Sequence, residues 1–342
     1  MRIGLVLAAG GSVGVAYHGA VLAALEEVTG WDPRQADILV GTSAGSLTAS
    51  ILRAGIPASD LAAISEGAAL SEEGDRLATL GRPHRPRPTA AHALSFRPMA
   101  DPLAVLHAAS RPWSLSLRRL LVAGLPAGGI PTDAISEGID AVYSGRWPTA
   151  PLWICAWDLR AGRRVVFGRS GAPTASVGRA VAASAAIPAY FQPVRIGGRR
   201  YVDGGVHSMV NLDLVAGAGL DLVVAVSPLS QASAWPGLSP ASVMRQPLRS
   251  RLRAEVDALR ATGVPVVAIQ PGRSVTASMG LNPMDAARRG EVSRSARAGV
   301  RRWLREGIEG RRLAGILADA ADGAGRRRAG TADGAGRILP SA

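Results

Sequence analysis

The chain has 342 residues, of which 47% are hydrophobic and 19% are charged, and this balance is typical of a globular protein with a substantial core. Its 39 basic residues outnumber its 26 acidic residues, which gives a formal net charge of +13, and every basic residue is Arg. Because the chain has no Lys, it can form neither a Walker-type phosphate loop nor a Schiff base, and both function classes are excluded.

The charge and the cysteine content indicate where the protein acts. The positive balance favours contact with anionic surfaces such as phospholipid headgroups. The Arg residues are dispersed and are not interleaved with aromatic residues, so we expect no nucleic-acid partner. The single cysteine, Cys155, excludes an intrachain disulfide and indicates a reducing compartment. No signal peptide is expected ahead of the strand-like run that starts at residue 3, and we expect a cytoplasmic protein that can contact a membrane peripherally.

Two units of strand, glycine turn and helix are predicted at the start of the chain. Each has a short apolar run, a glycine-containing turn and a segment with helical spacing: residues 3–8 followed by 15–28, and residues 38–40 followed by 44–53. This alternation is typical of an α/β protein with a mainly parallel sheet and helices on its faces.

The pattern changes over residues 72–130, where many prolines are mixed with Arg and His. We predict an irregular cap over the sheet there. Further buried strands are predicted after it, at residues 152–157, 164–167, 200–202, 222–226 and 264–269. We expect one domain over residues 1–310. Residues 311–342 are rich in Ala, Gly and Arg, and we predict a disordered basic tail there because little apolar surface remains to offset ordering.

Residues 41–45 read Gly-Thr-Ser-Ala-Gly, which is the G-x-S-x-G pattern of a nucleophile elbow. In such an elbow a tight strand-to-helix turn exposes the serine hydroxyl, and Gly41 and Gly45 relieve crowding on either side. A Gly- and Ser-rich chain also produces this pattern by chance, so a plain strand-to-helix turn is the alternative. The predicted strand before it and the predicted helix after it favour Ser43 as a nucleophile.

A glycine-rich turn, residues 9–14, lies one unit earlier in the chain. Backbone amides at the start of a helix suit an anion, and this anion could be the oxyanion that forms when Ser43 attacks an ester. A dinucleotide-binding turn is the alternative, because acidic residues lie about twenty positions later, within residues 26–32.

Asp203 ends a predicted strand and is followed by Gly204 and Gly205. A carboxylate in this position can face the carboxyl edge of the sheet, where ligands of open α/β folds bind, although an Asp-Gly hairpin turn is the commoner reading. Of the five histidines, only His207 follows Asp203 in the Ser, Asp, His order of α/β-hydrolases. We therefore predict Asp203 as the base, with His18 and His207 as possible lining residues of the site.

Taken together, these motifs resemble the patatin-like phospholipase family over roughly residues 2–227. The resemblance lies in the glycine turn, Gly-Thr-Ser-Ala-Gly at 41–45, Ala-Ser-Ala-Ala-Ile-Pro at 183–188, Phe-Gln-Pro at 191–193 and Asp-Gly-Gly at 203–205. It implies a three-layer α/β fold with a mainly parallel central sheet and a helical cap. One departure is Val13, where family members often have Arg.

The resemblance also implies the chemistry of the site. Ser43 would be the nucleophile and Asp203 the base of a catalytic dyad, and the amides of Gly10, Gly11 and Ser12 would form the oxyanion hole. The implied reaction is phospholipase A or lysophospholipase hydrolysis of a lipid ester through an acyl-enzyme, without a cofactor. No cluster of metal-ligand residues is apparent, and we expect no metal.

Other function classes stay open at the level of the sequence. A nucleotide- or effector-binding protein could use the first glycine turn and keep Ser43 as a structural residue. An acyltransferase could use the same fold with an acceptor other than water. A catalytically silent membrane-binding module is the third alternative.

Overall fold

The computed structural model describes residues 1–81, 99–101, 122–232 and 240–334. Most of the predicted cap over residues 72–130 lies outside the described residues, as does the end of the chain after residue 334. The parts that carry the sequence motifs are all described.

A single eight-stranded sheet forms the centre of the molecule, with the strand order β5-β6-β3-β2-β1-β7-β8 and with β4 paired to β3. The strands are β1 (Ile3–Leu7), β2 (Ile38–Thr42), β3 (Leu152–Asp158), β4 (Arg163–Phe167), β5 (Val194–Ile196), β6 (Arg199–Asp203), β7 (Leu222–Val226) and β8 (Val266–Ile269). The β8-β7-β1-β2-β3 portion is parallel throughout, whereas β4 and β6 pair antiparallel with β3, and β5 pairs antiparallel with β6.

Helices cover both faces of the sheet. They are α1 (Gly11–Thr29), α2 (Ala44–Arg53), α3 (Ala58–Glu66), α4 (Glu72–Leu80), α5 (Asp133–Tyr143), α6 (Val177–Ala185), α7 (Pro240–Arg260), α8 (Arg273–Met279), α9 (Arg289–Glu306) and α10 (Ile308–Gly334). The larger apolar cluster joins one face of the sheet to α1, α2, α6 and α9, and the smaller cluster joins the other face to α7. The predicted mainly parallel α/β fold with helices on both faces is therefore confirmed.

The central strands are apolar along their whole length because both of their faces are covered. All five residues of β1, of β2 and of β7 are buried. Strands that are buried on both sides do not alternate between polar and apolar residues, which explains the continuous runs in the sequence.

The predicted disordered tail from residue 311 is wrong for the part of it that the structure describes. That part continues α10, and Leu313 and Leu317 are fully buried in the larger apolar cluster. These two leucines lie one helical turn apart and so face the core together. The average composition of the segment is polar, but two well-placed apolar side chains are enough to dock the helix.

Among the described residues, no helix combines the length and the apolar character that crossing a bilayer requires.

We expect Leu317→Ala to lower the free energy of unfolding by about 2–5 kcal/mol, because it leaves a cavity in the core beneath α10. Urea unfolding of the full chain measures this difference. The control is Arg312→Ala, which truncates an exposed side chain of the same helix and should change stability by less than about 0.5 kcal/mol. Equal unfolding midpoints for Leu317→Ala and the wild type would contradict the docked position of α10.

Candidate active site

Ser43 occupies a strained turn between β2 and α2. Its backbone has φ 53° and ψ −120°, and it is one of few non-glycine residues in the described chain with positive φ. Such conformations cost free energy and persist only where the surrounding structure enforces them. The predicted elbow is therefore present as a turn, with the side chain of Ser43 at the end of a central strand.

The two glycines of the elbow are required by close backbone contacts. A Cβ atom on Gly45 would lie 1.9 Å from the carbonyl oxygen of Leu7, and a Cβ on Gly41 would lie 2.4 Å from the Cα of Ser46. Neither site has space for a side chain, because backbone atoms on both sides cannot move away independently. The turn is held against β1 by this packing.

Hydrogen bonds fix the backbone of Ser43 on both sides. The Ser43 amide donates to Oγ of Ser184 at 2.9 Å, and the Ser46 hydroxyl donates to the Ser43 carbonyl at 2.7 Å. Ser184 lies on α6 and is completely buried. It belongs to the Ala-Ser-Ala-Ala-Ile-Pro segment, whose role as a support for the elbow the sequence motif did not reveal.

Asp203 reaches Ser43 through the pairing of β3. One edge of β3 pairs with β4 along residues 154–158, so β2 and β6 share the opposite edge. There Thr42 of β2 is opposite Cys155, and Asp203 of β6 is opposite the next residue, Ala156. The ends of β2 and β6 therefore meet, which brings the Ser43 side chain close enough to the Asp203 carboxylate to lower the pKa of that carboxylate.

The Asp203 carboxylate is poorly solvated. The residue is only 6% exposed, and Oδ1 accepts a hydrogen bond from the Gly205 amide at 2.7 Å. Burial raises the pKa of Asp203 to about 6, while the hydrogen bonds from Ser43 and Gly205 act in the opposite direction. The group therefore ionises close to neutral pH and is a stronger base than an exposed Asp.

The glycine-rich turn forms the start of α1 next to the elbow. Gly11 has φ 62°, and a Cβ on Gly10 would lie 2.6 Å from the Cα of Gly14, so both positions favour glycine. The helical bonding starts with the Gly14 amide, which donates to the Gly10 carbonyl at 3.0 Å. The amides of Gly10, Gly11 and Ser12 precede this first bond. Like the first amides of any helix, they have no acceptor within the helix itself.

A cavity of about 180 Å³ lies in front of Ser43. It brings together Ser43 with Gly11 and Ser12, and its other described lining residues are mainly apolar: Val15, Ala44, Leu47, Ile135, Ala185, Ile187, Phe191, Met284 and Arg289. Arg289, the first residue of α9, is the only ionised side chain in this described lining.

A larger apolar cavity of about 460 Å³ adjoins the first one. The two cavities share Leu47, Ile135 and Phe191 as lining residues, and the larger cavity extends between α2, α4 and α5. These shared residues place the larger apolar cavity next to the one that Ser43 lines.

A family model described as Patatin-like phospholipase matches residues 5–216 of the chain. This chain belongs to the patatin-like phospholipase family. The matched residues include the glycine turn, the elbow and the Asp203 motif, so the sequence resemblance to the family is confirmed.

Individual relatives cover less of the chain. Uncharacterized NTE family proteins of Mycobacterium bovis and Mycobacterium tuberculosis are 33% identical over 137 residues, a segment that spans 36% of this chain and 36% of each relative. The crystal structure of VipD from Legionella pneumophila aligns with a TM-score of 0.44 and 15% identity, over 94% of this chain and 67% of VipD. The chain thus matches about a third of the length of its curated relatives.

The structure does not bring His18 or His207 into the lining of the cavity at Ser43. His18 is completely buried on α1, next to the Thr48 hydroxyl at 3.5 Å and the Val226 carbonyl, and burial lowers the pKa of His18 to about 3. His207 is exposed and stacks on Trp157, with ring centroids 6.1 Å apart. Neither ring is among the described lining residues of the cavity.

The side chain of Val13 is not placed to contact a substrate headgroup, as an Arg that binds a headgroup would have to be. Its side chain is fully buried in the larger apolar cluster, and its amide donates to the Pro283 carbonyl at 3.1 Å. The charge that faces the cavity in this family member comes instead from Arg289, more than 270 residues later in the chain.

A chain of polar contacts that the sequence motifs did not predict supports the end of β2. Asn211 has φ 63°, donates to the Thr42 hydroxyl at 3.0 Å and accepts from Arg164 at 2.8 Å. Arg164 also forms two hydrogen bonds to Asp213, at 2.7 and 2.5 Å. Because Thr42 precedes Ser43, this chain of contacts ties β4 and the segment after Asp203 to the elbow.

Among the described residues, no three His, Cys or acidic side chains are grouped so that they could hold a metal ion.

Proposed function

We propose that this protein hydrolyses carboxylic esters of lipids with a Ser43–Asp203 dyad and an acyl-enzyme intermediate. The observation that carries this proposal is the contact between the Ser43 side chain and the Asp203 carboxylate, a buried group of raised pKa. Membership of the patatin-like phospholipase family supports lipid acyl hydrolysis as the reaction class.

In the first step Asp203 accepts the hydroxyl proton of Ser43 while Oγ attacks the ester carbonyl carbon. The carboxylate is within hydrogen-bond reach of that proton, which is the geometric requirement for a general base. Its pKa of about 6 leaves it mainly ionised at neutral pH yet more basic than an exposed Asp. The ester then loses its alcohol, and the acyl group stays on Ser43.

In the second step a water molecule attacks the acyl-enzyme, and Asp203 accepts the proton of that water. The carboxylic acid product leaves, and the Ser43 hydroxyl is restored. The negative charge that develops on the carbonyl oxygen in both steps must be stabilised by hydrogen-bond donors. The amides of Gly10, Gly11 and Ser12 at the positive end of α1 are the proposed donors, because Gly11 and Ser12 line the same cavity as Ser43.

The larger apolar cavity supports an aliphatic acyl group as the part of the substrate that binds beyond Ser43. The cavity of about 460 Å³ is lined largely by Leu, Ile and aromatic side chains, and it shares Leu47, Ile135 and Phe191 with the smaller cavity that Ser43 lines. Such apolar lining with a few polar groups at one end is typical of sites that orient an amphiphilic ligand.

We expect a fluorophosphonate probe to label Ser43, and we expect Ser43→Ala to abolish labelling. On a panel of phospholipid, lysophospholipid and short ester substrates, Ser43→Ala should lose at least about 10⁴-fold in kcat/KM because it has no nucleophile. Asp203→Asn should lose about 10²–10⁴-fold because it cannot accept the proton.

His207→Ala is the control for a histidine base, and it should keep wild-type activity because His207 is exposed on Trp157. Loss of activity in His207→Ala with retention in Asp203→Asn would contradict the dyad. Release of the acyl group to an added alcohol in preference to water would identify an acyltransferase.

The rate should depend on the ionisation of Asp203. Because the ionised carboxylate is the base, kcat/KM for an uncharged short ester should rise about tenfold per pH unit below pH 6 and become constant above it. A pH profile from 4.5 to 8.5, over the range in which circular dichroism shows the folded protein, measures this. A profile that is flat through pH 6 would be inconsistent with Asp203 as the base.

Arg289 is proposed to contact the phosphate of a phospholipid substrate, because it is the cation in the described lining of the cavity at Ser43. We expect Arg289→Gln to raise KM for an anionic phospholipid roughly tenfold through the loss of a charge-assisted hydrogen bond, with little change for an uncharged ester. Steady-state kinetics on both substrates separates these effects. The matched control is Arg294→Gln, which removes an exposed charge from the same helix outside that lining. Equal losses in the two variants would exclude a specific role for Arg289.

A further inference from the structure

A second polar cavity, of about 370 Å³, lies beside β4 and has no lining residue in common with the cavity at Ser43. Four arginines line it: Arg163 and Arg164 of β4, Arg169 of the following loop, and Arg199 of β6. The only acidic residue in its described lining is Asp158, at the end of β3. The cavity therefore collects cations from two stretches of the sequence, residues 163–169 and Arg199.

The nearby acidic groups are already bonded to two of these arginines. Asp158 accepts from Arg199 at 2.9 Å through Oδ2 and from the Ala161 amide at 2.8 Å through Oδ1. Arg164 is bonded to Asp213, which lies outside the cavity. These pairs offset the charges of Arg164 and Arg199.

The positive charges of the other two arginines in this cavity are not offset in this way. Within the described part of the chain, neither Arg163 nor Arg169 has an acidic side chain within ion-pair distance. The Arg169 guanidinium lies over the Trp153 ring, 4.6 Å from its centroid, which orients it but leaves its charge unneutralised. The cavity thus has an excess charge of about +2.

Tyr201 is also among the lining residues of this cavity, and its buried hydroxyl has no hydrogen-bond partner among the described residues. Tyr201 is completely buried, with its ring packed edge-on against Phe167 at 5.4 Å between centroids. A buried hydroxyl without a partner is costly, and such groups call for a ligand or another explanation. Burial raises the pKa of Tyr201, so the hydroxyl keeps its proton and can donate a hydrogen bond.

Protection of a sheet edge accounts for only part of this arrangement. Among the described strands β4 pairs with β3 alone, and charged side chains on such a strand prevent unwanted pairing with other chains. That role explains Arg163 and Arg164. It explains neither the loop residue Arg169 nor the buried hydroxyl of Tyr201, a lining residue of the same cavity, which has no partner among the described residues.

We propose that this cavity binds the phosphate group of a phosphate-bearing ligand. A phosphate monoester carries a charge close to −2 at neutral pH and offers acceptor oxygens to two guanidinium groups and one hydroxyl. The volume of about 370 Å³ falls within the range of small-molecule sites, so it can hold an organic group as well as the phosphate. The ligand is either soluble or the headgroup of an anionic lipid. This proposal does not depend on the reaction at Ser43.

Isothermal titration calorimetry of the full-length protein with inorganic phosphate and pyrophosphate at about 150 mM salt tests the site. At this ionic strength exposed charges are largely screened beyond about 8 Å. We expect saturable binding by the wild type that is weakened on the order of tenfold in Arg163→Gln and in Arg169→Gln. Tyr201→Phe removes one oxygen and keeps the ring, and it should weaken binding by several fold.

The control is Arg195→Gln, which removes one exposed positive charge from β5 outside the cavity. It should bind phosphate and pyrophosphate as the wild type does. Equal weakening in Arg195→Gln and Arg163→Gln would mean that the net charge of the protein attracts the anions, and it would overturn the proposal. Absence of binding of both anions to the wild type would overturn it as well. Circular dichroism and activity on a short ester, unchanged in these variants, show that the fold and the Ser43 site are intact.

Vesicles distinguish the two sources of the phosphate. Co-sedimentation compares phosphatidylcholine vesicles with vesicles that also contain phosphatidic acid, whose headgroup is a phosphate monoester. If Arg163→Gln loses the additional binding to phosphatidic acid while Arg195→Gln keeps it, the site takes a lipid headgroup. If the titrations show the site but the vesicles show no difference between these variants, the site takes a soluble phosphate ligand.

Discussion

The division of one edge of β3 between two strands is the constraint on which the candidate active site depends. β4 occupies the other edge over residues 154–158, so β2 and β6 must share the remaining edge and meet end to end. This pairing places Thr42, the residue before Ser43, and Asp203 opposite consecutive residues of β3, although Ser43 and Asp203 are 160 positions apart in the chain. A slip of one residue in either register would turn the side chains that follow to the opposite face and separate the pair.

The surroundings keep both residues in unfavourable states. Ser43 has a strained backbone, and Asp203 is an ionisable group with little access to water, so each reduces the stability of the fold. Their supports are buried and polar: Ser184 holds the elbow from α6, and Asn211 holds the end of β2. Central strands with both faces covered provide the apolar packing that offsets these costs.

The local features of the site could be predicted from the sequence, but its assembly could not. The elbow and the glycine turn are short-range patterns, and both fold as predicted between a strand and a helix. Asp203 was expected at the carboxyl edge of a parallel sheet, yet β6 runs antiparallel to β3 and brings it from the opposite direction. Strand direction depends on long-range pairing that no short motif encodes. The same limit applies to α10, where the packing of Leu317 outweighs the polar composition of the segment.

The even distribution of Arg along the sequence conceals an uneven distribution in space. Whether an Arg is available to a ligand depends on the acidic groups that the fold places beside it. Arg199 is matched by Asp158 and Arg164 by Asp213, whereas Arg163 and Arg169 face the second cavity without such partners in the described structure. Arg289 arrives at the Ser43 cavity from the start of α9, at a distance along the chain that no sequence window covers. The total of +13 is therefore less informative than the positions to which the fold brings individual arginines.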